Sequence, residues 1–180
     1  APTTDGGSAV TRYQIEWTST LTAGAISGMV LTTGTLTTYT LSGLTNGGSY
    51  SVTVAAVNAE GTGTATTAVL GTPYTLSGPP GDLRGVLVDG ILVLSWSVPG
   101  LTGGATVTGY RVEQRITGGD MWSVVVDNTG SGFTTYNVLG LTEGTTYDFQ
   151  VSAINAAGMG PLSTSWSTTI PTTSTSTTTS

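Results

Sequence analysis

The sequence predicts an all-β protein built from antiparallel sandwiches, and three observations carry that prediction. Apolar and polar residues alternate at period two, turn-forming glycine clusters recur about every 8 to 12 residues, and helix-forming runs are nearly absent.

One supersecondary unit is used twice. At an offset of 97 residues, GGSAVTRYQIEW (6–17) lies over GGATVTGYRVEQ (103–114), and TYTLSGLTNGGSYSVTVAAVNAEGTG (38–63) over TYNVLGLTEGTTYDFQVSAINAAGMG (135–160). Half of these 38 aligned pairs are identical. Ala1 falls over Val98, so the stretch from Gly78 to Ser97 has no counterpart in the first copy.

Taken in order, Gly6-Gly7 reads as a turn, and Tyr13, Ile15 and Trp17 as the inward face of the strand that follows. Thr38 to Leu41 reads as a short strand, and Gly47-Gly48 as a turn into a strand with Tyr50, Val52 and Val54 inward. The alanine-rich Ala55 to Ala59 is the end of that strand, not a helix, because Asn58 and Gly61 break it. Gly71 to Gly81 carries three prolines and reads as an extended, semi-rigid connection. In the second copy Asp82 and Asp89 flank a strand, LVLSW (92–96) forms the next, and Gly103-Gly104 turns. Tyr110, Val112 and Gln114 then alternate with Arg111, Glu113 and Arg115, and Tyr147, Phe149, Val151 and Ala153 with Asp148, Gln150 and Ser152. The tract PTTSTSTTTS (171–180) has too little apolar area to fold and reads as a disordered tail, open to O-glycosylation in a host that performs it.

Five features of the second copy, each weak alone, are specific as a set: Pro79 and Pro80, LVLSW ending in Trp96, GGATVTGY leading to Tyr110, LTEGTTY with Leu141 and Tyr147, and VSAINAAG ending at Gly158. Together they resemble a fibronectin type III domain over most of residues 78–170. The resemblance implies tandem immunoglobulin-like antiparallel β-sandwiches, with Trp96 in a core and Tyr147 as a tyrosine corner bonding back near Leu141. The first copy is similar to the later part of the family pattern, with Tyr13 and Ile15 on the third strand and Leu44 with Tyr50 as the corner. The expected structural core is Tyr13, Ile15, Leu44, Tyr50, Trp96, Tyr110, Leu141 and Tyr147.

The first copy departs from the family where strands A and B belong. The organisation expected is therefore an incomplete domain at 1–73 with strands C to G, a linker at 74–77, a complete domain at 78–170 and the tail at 171–180. The apolar face of Tyr13, Ile15, Trp17, Tyr50, Val52 and Val54 should lack cover, with one sheet reduced to little more than Thr38 to Leu41, and exposed faces and edges of that kind invite association. Two explanations stand: the strands lie upstream in the same polypeptide, or a neighbouring subunit inserts one.

Composition excludes much chemistry. Charged residues make up 8 % of the 180 residues, against about 25 % in a typical domain. Threonine occupies 39 positions, so hydroxyls and backbone solvate the surface. Four arginines, no lysine and a net charge of -6 disfavour nucleic acid. Without cysteine or histidine there is no thiol nucleophile, disulfide, Ser-His pair or common zinc ligand. The longest apolar run, Gly90 to Trp96, is too short to span a bilayer.

The ten carboxylates are scattered singly over turns and outward strand positions, so no glycosidase pair and no calcium loop is expected. The glycine pairs lack a following helix and a P-loop lysine, and read as turns. Neither a catalytic residue, a cofactor nor a metal is expected. Candidate partner-binding residues lie in the loops between the last two strands: Asn58 and Glu60 in the first copy, Asn155, Met159 and Leu162 in the second. No Arg-Gly-Asp occurs in either loop. Trp122 and Trp166 are candidate exposed aromatics for a partner or glycan, since an indole offers apolar area and a donor.

The expected role is a noncatalytic structural, spacer or adhesion module of a larger extracellular, appendage or virion-surface assembly. Its partners would be proteins met through sheet edges and loops, neighbouring copies or upstream strands among them. The alternative is an accessory segment of a secreted polysaccharide-degrading enzyme. Either places the chain outside the cell, at a cell surface or on a virion.

Overall fold

A computed structural model describes residues 1–20 and 25–172. The chain divides into two compact units, Ala1–Pro73 and Tyr74–Ser180. The Thr/Ser tail expected at 171–180 lies outside the described residues from 173 onward.

Unit 1 holds β1 (Arg12–Ser19), β2 (Ser27–Leu31), β3 (Tyr50–Asn58), β4 (Gly61–Thr62) and β5 (Val69–Gly71). They form one antiparallel sheet ordered β2-β1-β3-β4, with β5 also on β3. The register sets Ile15 opposite Val54 and Trp17 opposite Val52, so period-two alternation puts them on one face with Tyr13 and Tyr50. Trp17 also lies opposite Gly28 on β2, where a Cβ would overlap the indole ring.

Unit 2 repeats that sheet and adds a second. Its strands are β6 (Gly81–Val88), β7 (Ile91–Ser97), β8 (Gly109–Ile116), β9 (Ser123–Val126), β10 (Thr135–Val138), β11 (Thr146–Asn155), β12 (Gly158–Leu162) and β13 (Trp166–Thr169). One sheet runs β12-β11-β8-β9 with β13 on β11, and the other runs β10-β7-β6. The β6–β7 hairpin closes through Asp89 and Gly90 at φ 48° and 80°, the doubly left-handed turn that Asp-Gly favours and whose twist suits a two-residue hairpin. Between the sheets Leu83, Leu92, Leu94, Trp96, Tyr110, Val112, Phe149 and Val151 form the core, with Trp96 and Tyr110 edge to face at 5.0 Å. Burial there pushes the Tyr110 hydroxyl above the usual phenol pKa.

Unit 1 has no second sheet among its described residues. Thr38 to Leu41, expected as a strand, is not one, whereas the matching TYNV at 135–138 is β10. The difference is a partner: β10 forms by pairing with β7, and unit 1 contains nothing equivalent to β7. The apolar face is partly covered all the same. Tyr13, Ile15 and Tyr50 are buried, while Val52 and Val54 are only half-buried and Leu36 is 77 % exposed. A cavity of about 290 Å³ remains, bordered by Tyr13, Ile15, Leu36, Tyr39, Leu41, Val52 and Val54.

Candidate partner-binding surfaces

Four sets of hydrogen bonds hold the loops of both units in matching positions. The Tyr13 amide donates to Thr32 Oγ1 at 2.9 Å, and the Tyr110 amide to Thr129 Oγ1 at 2.9 Å. The Val54 amide donates to Thr66 Oγ1 at 3.2 Å, and the Val151 amide to Ser163 Oγ at 3.0 Å. The Thr45 amide donates to the Tyr50 hydroxyl at 2.9 Å, and the Thr142 amide to the Tyr147 hydroxyl at 3.1 Å. Asn58 and Asn155, the fourth set, each accept an amide two residues on, at 2.9 Å. Leu44 and Leu141, beside the two tyrosine corners, are half-buried.

The loop candidates divide on inspection. Asn155 is 4 % exposed, and its Nδ2 donates to Thr75 O at 2.8 Å and Thr102 O at 2.9 Å. Asn58 donates likewise to Asp5 O at 2.9 Å and Ser8 O at 3.1 Å. Both asparagines are turn anchors and do not present their amides to a partner. Glu60, Met159 and Leu162 are exposed.

The two tryptophans are less open than expected. Trp166 is half-buried, with its ring over Gly85 and 6.3 Å from Phe149. Trp122 is half-buried too, and the Arg115 guanidinium lies 4.6 Å from its ring centroid. Neither is a free platform for a sugar.

Arg115 belongs to a network on the outward face of the β8/β11 sheet. Its Nε donates to Asp148 at 2.9 Å, and Asp148 also accepts from Thr117 Oγ1 at 2.7 Å and Ser167 Oγ at 2.6 Å. Asp148 is 5 % exposed although its strand position faces outward. The Ser167 hydroxyl first, then Thr117 and Arg115, hold its pKa below the usual carboxylate value. Alongside, Arg111 pairs with Glu113 at 2.7 Å and Asp127 at 3.2 Å, and Gln150 donates to Glu113 at 2.7 Å. The carboxylates of Asp148 and Glu113 are engaged within the protein, whereas the buried Arg111 Nε has no hydrogen-bond partner among the described residues. Alternation places Asp148 outward but is blind to the three neighbours that cover it. The threonine pair Thr32 and Thr129 was open to discovery through the 97-residue offset alone.

Comparison with known proteins adds identity to this geometry. The family model described as fibronectin type III domain matches residues 1–72 and 78–169. Titin of Drosophila melanogaster is 33 % identical over 87 % of this chain, which spans 1 % of that protein. Myomesin-2 of Homo sapiens is 34 % identical over 68 % of the chain, which spans 9 % of it. The crystal structure of domains A168-A170 from titin covers 88 % of this chain with 54 % of its own, at a TM-score of 0.57 and 22 % identity, and shows likeness of fold. These relatives correct the expected location. Titin and myomesin are sarcomeric proteins of muscle and point to an intracellular setting, away from the cell exterior, the cell surface and the virion.

Proposed function

We propose, for a chain that belongs to the fibronectin type III family as two tandem domains, a structural spacer role within a larger modular protein. The observation that carries this reading is the repetition: matching hydrogen bonds recur at a constant offset, so one sheet with its loops is used twice. The titin and myomesin segments that the chain resembles are noncatalytic, which favours this role over an accessory part of a polysaccharide-degrading enzyme.

Unit 2 is suited to transmit tension. Its chain enters beside Gly103 and the β11–β12 turn, and leaves beside Thr145 at the start of β11, at the opposite end of the sandwich. The first and last strands, β6 and β13, lie in different sheets, so pulling on the two ends shears one sheet past the other. Protein partners meet the module at sheet edges and loops. Exposed Val86 and Val88 on the edge strand β6, and Met159 and Leu162 on β12, supply the apolar contact.

Stretching the full chain by its ends tests the role. Unit 2 should unfold in one cooperative force step that releases about 30 nm, near 3.4 Å for each residue freed. Extension of unit 2 without a force-bearing step would remove the spacer reading.

A further inference from the structure

The three-stranded sheet of unit 2 is apolar on both sides. On β7, Leu92, Leu94 and Trp96 face the core, and the positions between them begin with Ile91 and Val93. The register carries this outer side across the sheet: Val88 lies opposite Ile91, and Val86 opposite Val93, which in turn lies opposite Asn137 on β10. Leu139 follows β10 at the Ile91 end. Val86, Val88 and Leu139 are 64 %, 50 % and 71 % exposed.

An antiparallel sheet with one side in water ordinarily alternates apolar with polar residues, whereas a strand covered on both sides reads as a continuous apolar run. The Ile-Leu-Val-Leu of β7 reads as the covered kind. Strand propensity does not account for it, because threonine is also β-branched and this chain uses it at 39 positions. The other sheet of the same unit shows the ordinary pattern, with Arg111, Glu113, Arg115, Asp148 and Gln150 on its outer side.

The apolar face is complementary to itself. Its two rows, Val86–Val93 and Val88–Ile91, lie side by side, with Arg84 beyond the first and Asp89 beyond the second. Both charged residues are exposed, and neither makes an ion pair among the described residues.

We propose that two copies of this chain pair through this face, sheet against sheet, about a two-fold axis passing between the two rows. Each copy's Val86 and Val93 then cover the other copy's Val88 and Ile91. Each Arg84 comes over the other copy's Asp89, so the symmetry forms both ion pairs at once. The strands of the two copies run antiparallel, inclined by about 30° as their twist requires. Three strands about 4.8 Å apart and about 25 Å long give a footprint of about 350 Å² per copy. That is less than a permanent interface needs, so the pair forms at high protein concentration and dissociates on dilution. Such pairing is independent of load bearing, since mass in solution reads one and force the other, and either can fail alone.

Sedimentation equilibrium of the full chain, from about 10 μM to about 1 mM, should show the mass rising reversibly from one chain towards two. Val86→Thr combined with Val93→Thr keeps both positions β-branched and should weaken pairing about tenfold, with the unfolding midpoint of unit 2 unchanged in dilute solution. Arg84→Glu and Asp89→Lys chains should each pair more weakly than the unaltered chain. An equimolar mixture of those two should pair more strongly than either alone, because the exchanged charges meet across the two-fold. This charge exchange decides the matter independently of any loss of stability in the threonine variant. A chain that stays monomeric to about 1 mM, its face bare or reserved for a different protein, would overturn the proposal. So would association that the threonine variant leaves unchanged, or a mixture that pairs no more strongly than its components.

Discussion

The hydroxyl of Tyr147 accepts a hydrogen bond from the amide of Thr142 at 3.1 Å, and Tyr50 repeats the contact with Thr45 at 2.9 Å. The bond ties the loop ahead of β11, or of β3 in unit 1, to the first tyrosine of that strand. The donated hydrogen also holds the Tyr147 hydroxyl below the usual phenol pKa. Tyr147→Phe keeps the ring in the core and removes this part-buried hydrogen bond from the Thr142 amide, at a cost of about 0.5 to 1.5 kcal/mol. Denaturant unfolding should show that loss in unit 2 while unit 1 keeps its midpoint. An unchanged unit 2 midpoint would mean that water replaces the hydroxyl at no cost.

Asp148 makes unit 2 sensitive to acid. Its carboxyl pKa is lower in the folded than in the unfolded state, because Ser167, Thr117 and Arg115 all donate to the carboxylate. Its contribution is therefore complete above the unfolded value of about 3.9 and is lost as pH falls through the lower folded value. Asp148→Asn should destabilise unit 2 most at neutral pH, and the gap from the unaltered protein should narrow as pH drops below about 4. Urea titrations at pH 7 and in acid measure this directly. A gap that stays constant into acid would show that the carboxylate charge is not what stabilises the site.

At Gly85 on β6 the sheet lies directly under the Trp166 ring of the facing sheet. A Cβ at this position would lie 2.9 Å from two atoms of the Trp166 ring and 3.0 Å from the Leu92 side chain. Gly85→Ala should force the indole outward and cost about 1 to 3 kcal/mol, with Trp166 emission shifting to the red. Trp122→Phe with Trp96 retained simplifies the spectrum. A variant with unchanged emission and midpoint would show that the ring has room to slide.

Met159 and Leu162 are nearly half exposed on β12, beside the turn where Asn155 is spent on structure. Replacing both by Ser should leave the unfolding midpoint within about 0.5 kcal/mol of the original while weakening any partner held by this edge. Pull-down of a partner at equal yield by both chains would exclude these residues from the contact.

The repeat and the alternation of apolar residues determined a good deal by themselves: the fold class, the use of one unit twice and the inward faces of Tyr13 and Tyr110, while the family resemblance implied both tyrosine corners. These features are local or periodic, and a strand's period of two fixes which side chains share a face. Whether that face is covered is a different matter. Thr38-Tyr39 and Thr135-Tyr136 are the same dipeptide, yet only the second lies in a strand, because strand formation is completed by hydrogen bonds from β7, distant in sequence. Asp148 reads as an exposed acid until Arg115, Thr117 and Ser167 arrive from two other segments, and Trp166 reads as a surface aromatic until Gly85 opens a place for it. Burial is set by what the rest of the chain brings alongside, and tertiary structure alone decides that.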